Sequence, residues 1–484
     1  MMILVTIVCY FAVLLLIARI TGYKSGSNAA FFKGENKSPW YVVSFGMIGA
    51  SISGVTFVSV PGMVRGMDMT YLQTVFGFFF GYMIVAHVLL PLYYKLNLIS
   101  IYGYLGTRIG VHSYRTGSFF FLLSRMLGTA AKLYLVCLIL YTYVFQEIHV
   151  PFWAIAVGSV ALVWIYTHKS GIKTIVWTDT LQTFCLIAAL IFIIYFTIQK
   201  LDFSFNGIIQ TIQESEHSRI FVFDNWISRQ NFFKQFFSGI FIVIVMTGLD
   251  QDMMQKNLSC RNLHEAKKNM YCYGFSFIPL NFLFLCLGIL LLALAGKMQL
   301  ELPVMNDDIL PMFATQGYLG QSVLILFTIG IIAAAFSNSD SALTAMTTSV
   351  CVDLLNTGKD TEEVALRKRK KVHLLLSVLL AFFICLVEML NNKSVIDAIY
   401  IIASYTYGPL LGMFAFGLFT RKQTNDRLVP FIAVASPLFC YVADWWVNKE
   451  FGYKFGYELL MLNGALTFVG LMALSTKKNR LKVP

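Results

Sequence analysis

The sequence predicts an all-α polytopic membrane protein of about thirteen transmembrane helices. Hydrophobic residues make up 57% of the 484 residues and charged residues only 13%, against roughly 25% charged residues in an average soluble domain. Apolar runs long enough to cross a bilayer recur along the whole chain with short polar gaps. Basic residues also alternate between dense and sparse connections. Together these observations favour one integral bundle over several soluble domains.

The predicted spans follow from length, because a helix needs about 20 apolar residues to cross a bilayer. The first run lacks the basic start and the cleavage site of a signal peptide and is interpreted as a retained helix. The predicted spans lie near 2–21, 40–66, 72–98, 118–146, 151–167, 173–199, 235–262, 270–296, 319–353, 370–390, 395–419, 427–447 and 456–476.

The Lys and Arg residues indicate the orientation, because cytoplasmic connections are enriched in them. One alternate set of connections carries about 25 of them, among them Lys256 and the run Arg367–Lys371, and the opposite set carries about nine. The N-terminus is therefore predicted outside and the C-terminus inside a bacterial cytoplasmic membrane. The net charge of +12 then belongs to the cytoplasmic face, and no nucleic-acid partner is expected.

Two of the spans look interrupted. Four glycines and Pro61 crowd residues 44–62 of the second span, which indicates a broken helix or, alternatively, a small-residue helix contact. In the seventh span the apolar run Phe236–Met246 covers only about 17 Å before a polar stretch that contains Gly248 and Asp250. This pattern predicts two half-helices with a break between them.

The two broken helices are five spans apart and therefore run in opposite directions. Such a pair predicts an inverted five-plus-five repeat with a binding site at the bilayer midplane. The expected division is a leading helix and loop at 1–38, a first repeat at 39–200, a second repeat at 201–420, and two trailing helices with a short tail at 421–484.

Two carboxylates lie well inside predicted spans, where ionisable side chains are costly and usually functional. These are Asp179 in the sixth span and Asp340 in the ninth. Spacing of i, i+3, i+4 and i+7 places Ser337, Asp340, Ser341 and Thr344 on one helix face. Such a face suits a hard monovalent cation, which takes oxygen ligands. The alternative is interhelical hydrogen bonding, which is favoured for Thr344 alone.

Two cations, Arg125 and Lys132, lie seven residues apart on one face of the fourth span. They are predicted to pair with a buried acid such as Asp340 or Asp250, or to meet an anionic substrate. Pairing is favoured because an unpaired buried cation is expensive.

No motif predicts an enzyme or a catalytic residue. The chain contains neither an HExxH zinc motif nor a GxxxxGK[ST] phosphate loop, and its seven histidines are scattered, so no cofactor is expected. The nine cysteines fall mostly within apolar runs and predict neither a disulfide framework nor a metal site.

Five stretches, at 46–61, 171–182, 248–258, 333–343 and 408–419, carry a further signal, with Ala266, Lys267 and Lys268 following the third. In order, from about residue 20 to residue 425, they resemble the sodium:solute symporter family, which includes bacterial sodium/galactose, proline and sialic acid symporters. The resemblance implies the inverted-repeat fold of LeuT, with one leading and two trailing helices.

The resemblance also implies sodium ligands. The family's usual site would use the backbone carbonyl groups of Gly49, Ile52 and Ala334 and the hydroxyl of Ser337. Asn338 stands where the family more often has a second hydroxyl, and its amide oxygen could serve instead.

A possible second sodium site, known in sialic acid symporters, maps to Asp179, Ser337, Asp340 and Ser341. Asp340 replaces a hydroxyl of that site. The added carboxylate would strengthen cation binding or change its own protonation.

The resemblance places the substrate across the two breaks, near Ser51, Ser53, Thr56, Gln73 and Asp250. Asp250 stands where the galactose symporter has a sugar-binding Asn. Gly128 replaces the Arg that grips the carboxylate of sialic acid, with Arg125 one turn away. This departure counts against sialic acid and leaves another acid open.

The predicted function is sodium-coupled symport of a small polar organic solute, a sugar or a sugar acid, by alternating access. The expected partners are Na⁺, the solute and membrane lipid, and a monomer is sufficient. A proton-coupled symporter is the nearest alternative, because Asp179 or Asp340 could carry a proton. A transporter-like solute sensor is a further alternative, although only about eight residues follow the last span.

Overall fold

The computed structural model describes residues 2–22, 31, 38–145, 149–168, 172–390 and 395–476, and the structure there is almost entirely helical. A short antiparallel pair joins β1 (Gln423–Thr424) to β2 (Ser475–Thr476). The helices are α1 (Met2–Gly22), α2 (Trp40–Ser51), α3 (Gly54–Met67), α4 (Tyr71–Ile84), α5 (Leu90–Lys95), α6 (Gly103–Arg108), α7 (Val111–Ile139), α8 (Phe152–Thr167), α9 (Ile172–Leu201), α10 (Phe205–Glu214), α11 (Phe232–Val243), α12 (Gln251–Leu258), α13 (Leu263–Met298), α14 (Ile309–Thr315), α15 (Gln321–Ser349), α16 (Glu362–Leu390), α17 (Val395–Phe419), α18 (Val429–Phe451) and α19 (Leu459–Ala473).

The predicted spans correspond in order to these helices or to pairs of them. Within the described ranges, eight helices are long and apolar enough to cross a membrane, and a ninth span is a bent pair. Shorter apolar helices lie at Val5–Ile17, Trp40–Ser51, Phe152–Thr167 and Leu459–Ala473. Length and composition therefore support a polytopic membrane protein, and the number thirteen stays a prediction.

Both of the predicted interruptions are present as breaks in the helical backbone. α2 and α3 are separated at Ile52, whose backbone (φ −75°, ψ 82°) is not helical. A π-helical turn at Ile244–Gly248 extends α11, and the axis then bends by 65° into α12. Each break leaves backbone groups without helical partners, so the polar neighbours of these groups define the functional region.

The centre of the bundle is α15, which is buried along most of its length. It packs against α9, α7, α2 and α3, and α9 in turn packs against α2. Peripheral helices are different, because α16 and α18 expose large apolar side chains such as Phe382, Phe431 and Trp445. Apolar exposure of this kind is expected where helices face lipid.

Close contact between α4 and α11 depends on two glycines. A Cβ built on Gly77 would overlap the carbonyl oxygen of Phe236, and one built on Gly239 would overlap the carbonyl oxygen of Thr74. Backbone atoms cannot turn aside as a flexible side chain can. Small residues at such crossings let membrane helices approach closely.

We therefore expect Gly239→Ala to lower the apparent melting temperature of the purified protein, because the added methyl group must push α11 away from α4. Overpacking of this kind costs about 1–3 kcal/mol. Gly158→Ala in α8 is the matched control, because a Cβ at Gly158 meets nothing within 4 Å. Equal melting temperatures for the two variants would contradict this account of the contact.

Candidate functional site

The break after α2 is fastened to the central helix. Asn338 of α15 donates a 2.7 Å hydrogen bond from Nδ2 to the carbonyl oxygen of Ala50. The last carbonyl groups of a helix have no partner within that helix, so the side chain supplies one of the missing partners. The bond also holds α15 directly against the end of α2, which contains Gly49.

The α15 residues implied as sodium ligands are all buried beside this break. Ala334, Ser337 and Asn338 are each no more than 1% exposed. The Oδ1 atom of Asn338 is buried and has no hydrogen-bond partner in the described part of the chain. Because a buried polar atom without a partner is costly, this oxygen fits the role of a cation ligand.

Asp179 of α9 is the most densely bonded acid near this face of α15. Its Oδ1 atom accepts a 2.6 Å hydrogen bond from the Ser337 hydroxyl, and Oδ2 accepts a 3.3 Å bond from the Ser341 hydroxyl. The ammonium nitrogen of Lys256, from α12, lies 2.8 Å from Oδ2. Asp179 thus joins α9, α12 and α15 through buried polar contacts.

Asp340 has different neighbours. Its Oδ2 atom accepts a 3.0 Å hydrogen bond from the hydroxyl of Tyr166 on α8, and its other oxygen accepts the backbone N–H of Ser341. Of the four residues implied for a second sodium site, Asp179, Ser337 and Ser341 are therefore linked by hydrogen bonds, and Asp340 is bonded to α8.

The backbone of the second break is satisfied by tyrosines. The hydroxyl of Tyr93 donates a 2.9 Å bond to the carbonyl oxygen of Gly248, and Tyr102 donates a bond of the same length to Leu249. A helix interrupted at membrane depth is tolerated when its freed groups are met in this way. The tyrosines therefore stabilise the bend between α11 and α12.

Asp250 caps α12 and belongs to a buried ion cluster. Its Oδ1 atom accepts the backbone N–H groups of Asp252 (3.0 Å) and Met253 (3.3 Å). Its Oδ2 atom accepts a hydrogen bond from Tyr407 and lies 3.7 Å from the Arg125 guanidinium. Arg125 also bonds the Asp252 carboxylate. Removing one member of such a cluster leaves an uncompensated buried charge, at a cost of about 3–5 kcal/mol.

An open cavity is lined by residues from both breaks. Three of the residues implied for substrate binding, Ser51, Ser53 and Thr56, line this cavity. The Ser51 hydroxyl is hydrogen-bonded to Tyr273, whose hydroxyl accepts a 3.0 Å bond from Tyr82. The cavity also contains the aromatic rings of Tyr71, Phe78, Tyr82, Tyr273 and Phe277.

The other two implied substrate residues lie outside this lining. Asp250 is engaged in the cap and ion cluster of α12. The Gln73 side chain donates a 2.9 Å bond to the Gln230 carbonyl oxygen and accepts a 3.1 Å bond from the Val222 backbone N–H. These bonds hold the connection before α11 against α4, so the structure gives Gln73 a structural position.

Lys132 of α7 is the second cation that lines the cavity. In the part of the chain that the structure describes, it forms no ion pair or hydrogen bond. One turn before it, a Cβ at Gly128 would meet nothing within 4 Å. A smaller adjoining cavity is lined by Gly128, Arg125 and Lys132. Open space therefore lies beside an ammonium group that has no protein partner there.

Sequence reasoning missed several residues of these clusters. It placed Lys256 among the basic residues of a cytoplasmic connection, whereas the structure buries it, at 1% exposure. That assignment is therefore wrong for Lys256. The spacing of Asp252 and Lys256, four residues apart on one helix face, was the available signal. No local signal pointed to Tyr166 or Tyr407, because each meets its acid across more than 150 residues.

Comparison with known proteins identifies relatives along almost the whole chain. Residues 31–427 match the sodium:solute symporter family. The sodium/sialic acid symporter NanT of Aliivibrio fischeri is 24% identical over 473 residues, which cover 93% of this chain and 88% of that protein. The sodium/sialic acid symporter SiaT of Proteus mirabilis is 22% identical, with 88% and 86% covered.

Solved structures give the same fold. A substrate-bound, outward-open structure of a Na⁺-coupled sialic acid symporter superposes with a TM-score of 0.84 at 19% identity, covering 99% of both chains. Mhp1, a nucleobase–cation symporter, superposes with a TM-score of 0.57 at 14% identity. These likenesses confirm the predicted LeuT-type fold, and the family match confirms the predicted resemblance.

Proposed function

This chain belongs to the sodium:solute symporter family and is a sodium-coupled symporter of a small organic solute, and we propose that this solute is a sugar acid bound beside Lys132. The single observation that carries the proposal is the unequal engagement of the two cavity cations. Arg125 is held by Asp250 and Asp252, whereas Lys132 has no ion-pairing partner within the described ranges.

A carboxylate is the chemical group that best complements Lys132. A partly buried ammonium next to open space gains a charge-assisted hydrogen bond when an anion binds. The curated relatives named above transport sialic acid, which is itself a sugar acid. Gly128 stands where sialic acid symporters have the Arg that grips the carboxylate, and a glycine has no side chain to do so. We therefore place the solute carboxylate nearer to Lys132 in this protein.

The other residues that line the cavity suit the hydroxyl groups and the ring of a sugar. Ser51, Ser53 and Thr56 offer hydroxyl groups for hydrogen bonding, and the phenol rings of Tyr82 and Tyr273 offer both a polar edge and an apolar face. Ligand sites usually combine a mostly apolar lining with a few placed polar groups. Gln73 and Asp250 support this site from outside the cavity, through α4 and α12.

We propose that the coupling sodium binds at the family-type site formed by Gly49, Ile52, Ala334, Ser337 and Asn338. The support is the unpartnered Oδ1 of Asn338 and the Ser337 hydroxyl, whose oxygen keeps lone pairs after donating to Asp179. A sodium ion there would join the end of α2 to α15 and so favour one conformation of the first break.

Transport then proceeds by alternating access. Sodium drives the cycle only if it binds one conformation better than the other, and a site shared by α2 and α15 meets this condition when the two helices separate in the other conformation. A negative-inside potential adds about 2.3 kcal/mol per charge per 100 mV. We further propose transport as the sole activity, a monomer as a sufficient unit, and an outside N-terminus with an inside C-terminus.

The proposal is tested by uptake into proteoliposomes that contain the purified protein. We expect inward sodium gradients, but not choline or potassium gradients, to drive accumulation of a radiolabelled sugar acid. The same sugar with its carboxylate replaced by an alcohol should be carried poorly. Uptake that is independent of sodium, or driven by a proton gradient instead, would contradict the coupling ion. Equal uptake of the alcohol would contradict the assigned solute class.

A further inference from the structure

The second sodium site implied by family resemblance contains a lysine of this chain. Lys256 is 1% exposed, and its ammonium nitrogen lies 2.8 Å from Oδ2 of Asp179. The next acid, Asp252, is 3.8 Å away and is already bonded to Arg125. The strongest contact of the lysine is therefore with the carboxylate that would serve a second sodium ion.

The bonding of Asp179 leaves little capacity for an added cation. A carboxylate offers about four lone-pair positions. In this structure the hydroxyls of Ser337 and Ser341 fill two of them, and the Lys256 ammonium lies 2.8 Å from Oδ2. Both serine hydroxyls already donate their protons to this carboxylate. A sodium ion would also approach an ammonium group at close range in a low-dielectric interior, where like charges repel strongly.

The fourth implied ligand is also committed elsewhere. Asp340 accepts hydrogen bonds from the hydroxyl of Tyr166 and from the backbone N–H of Ser341. The extra carboxylate on α15 is therefore held by α8 and by the backbone of its own helix. The oxygens of Asp179, Ser337 and Ser341 therefore face the Lys256 ammonium group without help from Asp340.

We propose that Lys256 is a tethered cation that fills the second sodium position. The ammonium group neutralises Asp179 and joins α12 to α9 without a dissociable ion. A transport cycle then moves one sodium ion with each solute, through the family-type site alone. This inference rests on the proposed sodium-coupled function, and it adds the number of ions and the residue that sets it.

The test is the ratio of sodium to solute in proteoliposomes, measured from the membrane potential at which net uptake reverses. For the wild type we expect one sodium ion per solute and a Hill coefficient for sodium of about 1. In Lys256→Met the ammonium is lost but most of the side-chain volume is kept. A second sodium ion should then bind at Asp179, giving a ratio of two and a Hill coefficient approaching about 2.

Matched variants make the result specific. Lys256→Arg keeps the positive charge and should keep the ratio at one. Adding Asp179→Asn to Lys256→Met should return the ratio from two to one, because the second ion loses its carboxylate. A wild-type ratio of two, or a ratio of one in an active Lys256→Met protein, would overturn the inference.

A second measurement covers the case in which Lys256→Met does not fold. Asp179→Asn alone should leave the wild-type ratio of one unchanged, and a fall from two to one would overturn the inference. Failure of the proposed function has a different signature, because uptake would then be independent of sodium in every variant, whatever the state of Lys256.

Discussion

Lys132→Met is expected to raise the KM for the acidic solute by roughly 10- to 150-fold, because it removes the ammonium group that meets the solute carboxylate. A hydrogen bond to a charged group contributes about 1.5–3 kcal/mol, and each 1.4 kcal/mol corresponds to about tenfold in affinity. The measurement is sodium-driven uptake of a sugar acid at varied solute concentration. The alcohol analogue of the same sugar should show little change.

Two variants separate this role from a structural one. Lys132→Arg keeps the charge and should retain most of the affinity for the acid. Arg125→Met should instead lower the yield and thermal stability of the protein, because Asp250 and Asp252 are left as buried charges without their partner. An unchanged KM for the acid in Lys132→Met would rule out the proposed contact.

Both helix breaks could be predicted from the sequence because their causes are local. Glycine and proline weaken the second span, and the apolar run before Gly248 is too short to cross a bilayer. The helix at Phe205–Glu214 was not predicted, although Ser204 caps it by accepting a hydrogen bond from the Gly207 backbone. That segment is short and lies in a connection that was interpreted only by its charge.

The polar site was only partly predictable, because its chemistry depends on contacts between distant helices. Ser337 and Ser341 could be placed together from helical spacing, and the family resemblance added Asp179. The partner of Asp179 could not be found in this way. Lys256 lies 77 residues further along the chain, in a segment whose basic residues predicted a cytoplasmic connection. Burial of that helix is decided by packing against α15 and α2.

The same limit applies to the solute contacts. Five residues near the breaks were implied as substrate ligands, and Gln73 is instead bonded to the backbone of Gln230 and Val222. A match to a family motif can place a residue near a break. It does not give the direction in which the side chain of that residue points. The domain boundaries at 38, 200 and 420 stay predictions for a related reason, since they rest on topology alone.

Asn338→Ala is expected to raise the sodium concentration for half-maximal uptake by at least about tenfold. The substitution removes the buried Oδ1 atom proposed as a sodium ligand and also the 2.7 Å hydrogen bond to Ala50. Loss of a contact to a charged partner costs about 1.5–3 kcal/mol. The effect should appear in the sodium dependence of uptake, while the solute KM at saturating sodium changes little.

Neighbouring substitutions distinguish an ion ligand from a helix contact. Ser339→Ala is the matched control, because Ser339 is equally buried and its hydroxyl donates only to the Ala335 carbonyl of its own helix. It should leave the sodium dependence unchanged. Asn338→Ser restores an oxygen at the position where related symporters more often have a hydroxyl, and it should recover sodium affinity. If the serine variant behaved like the alanine variant, the hydrogen bond to Ala50, rather than ion ligation, would explain the defect.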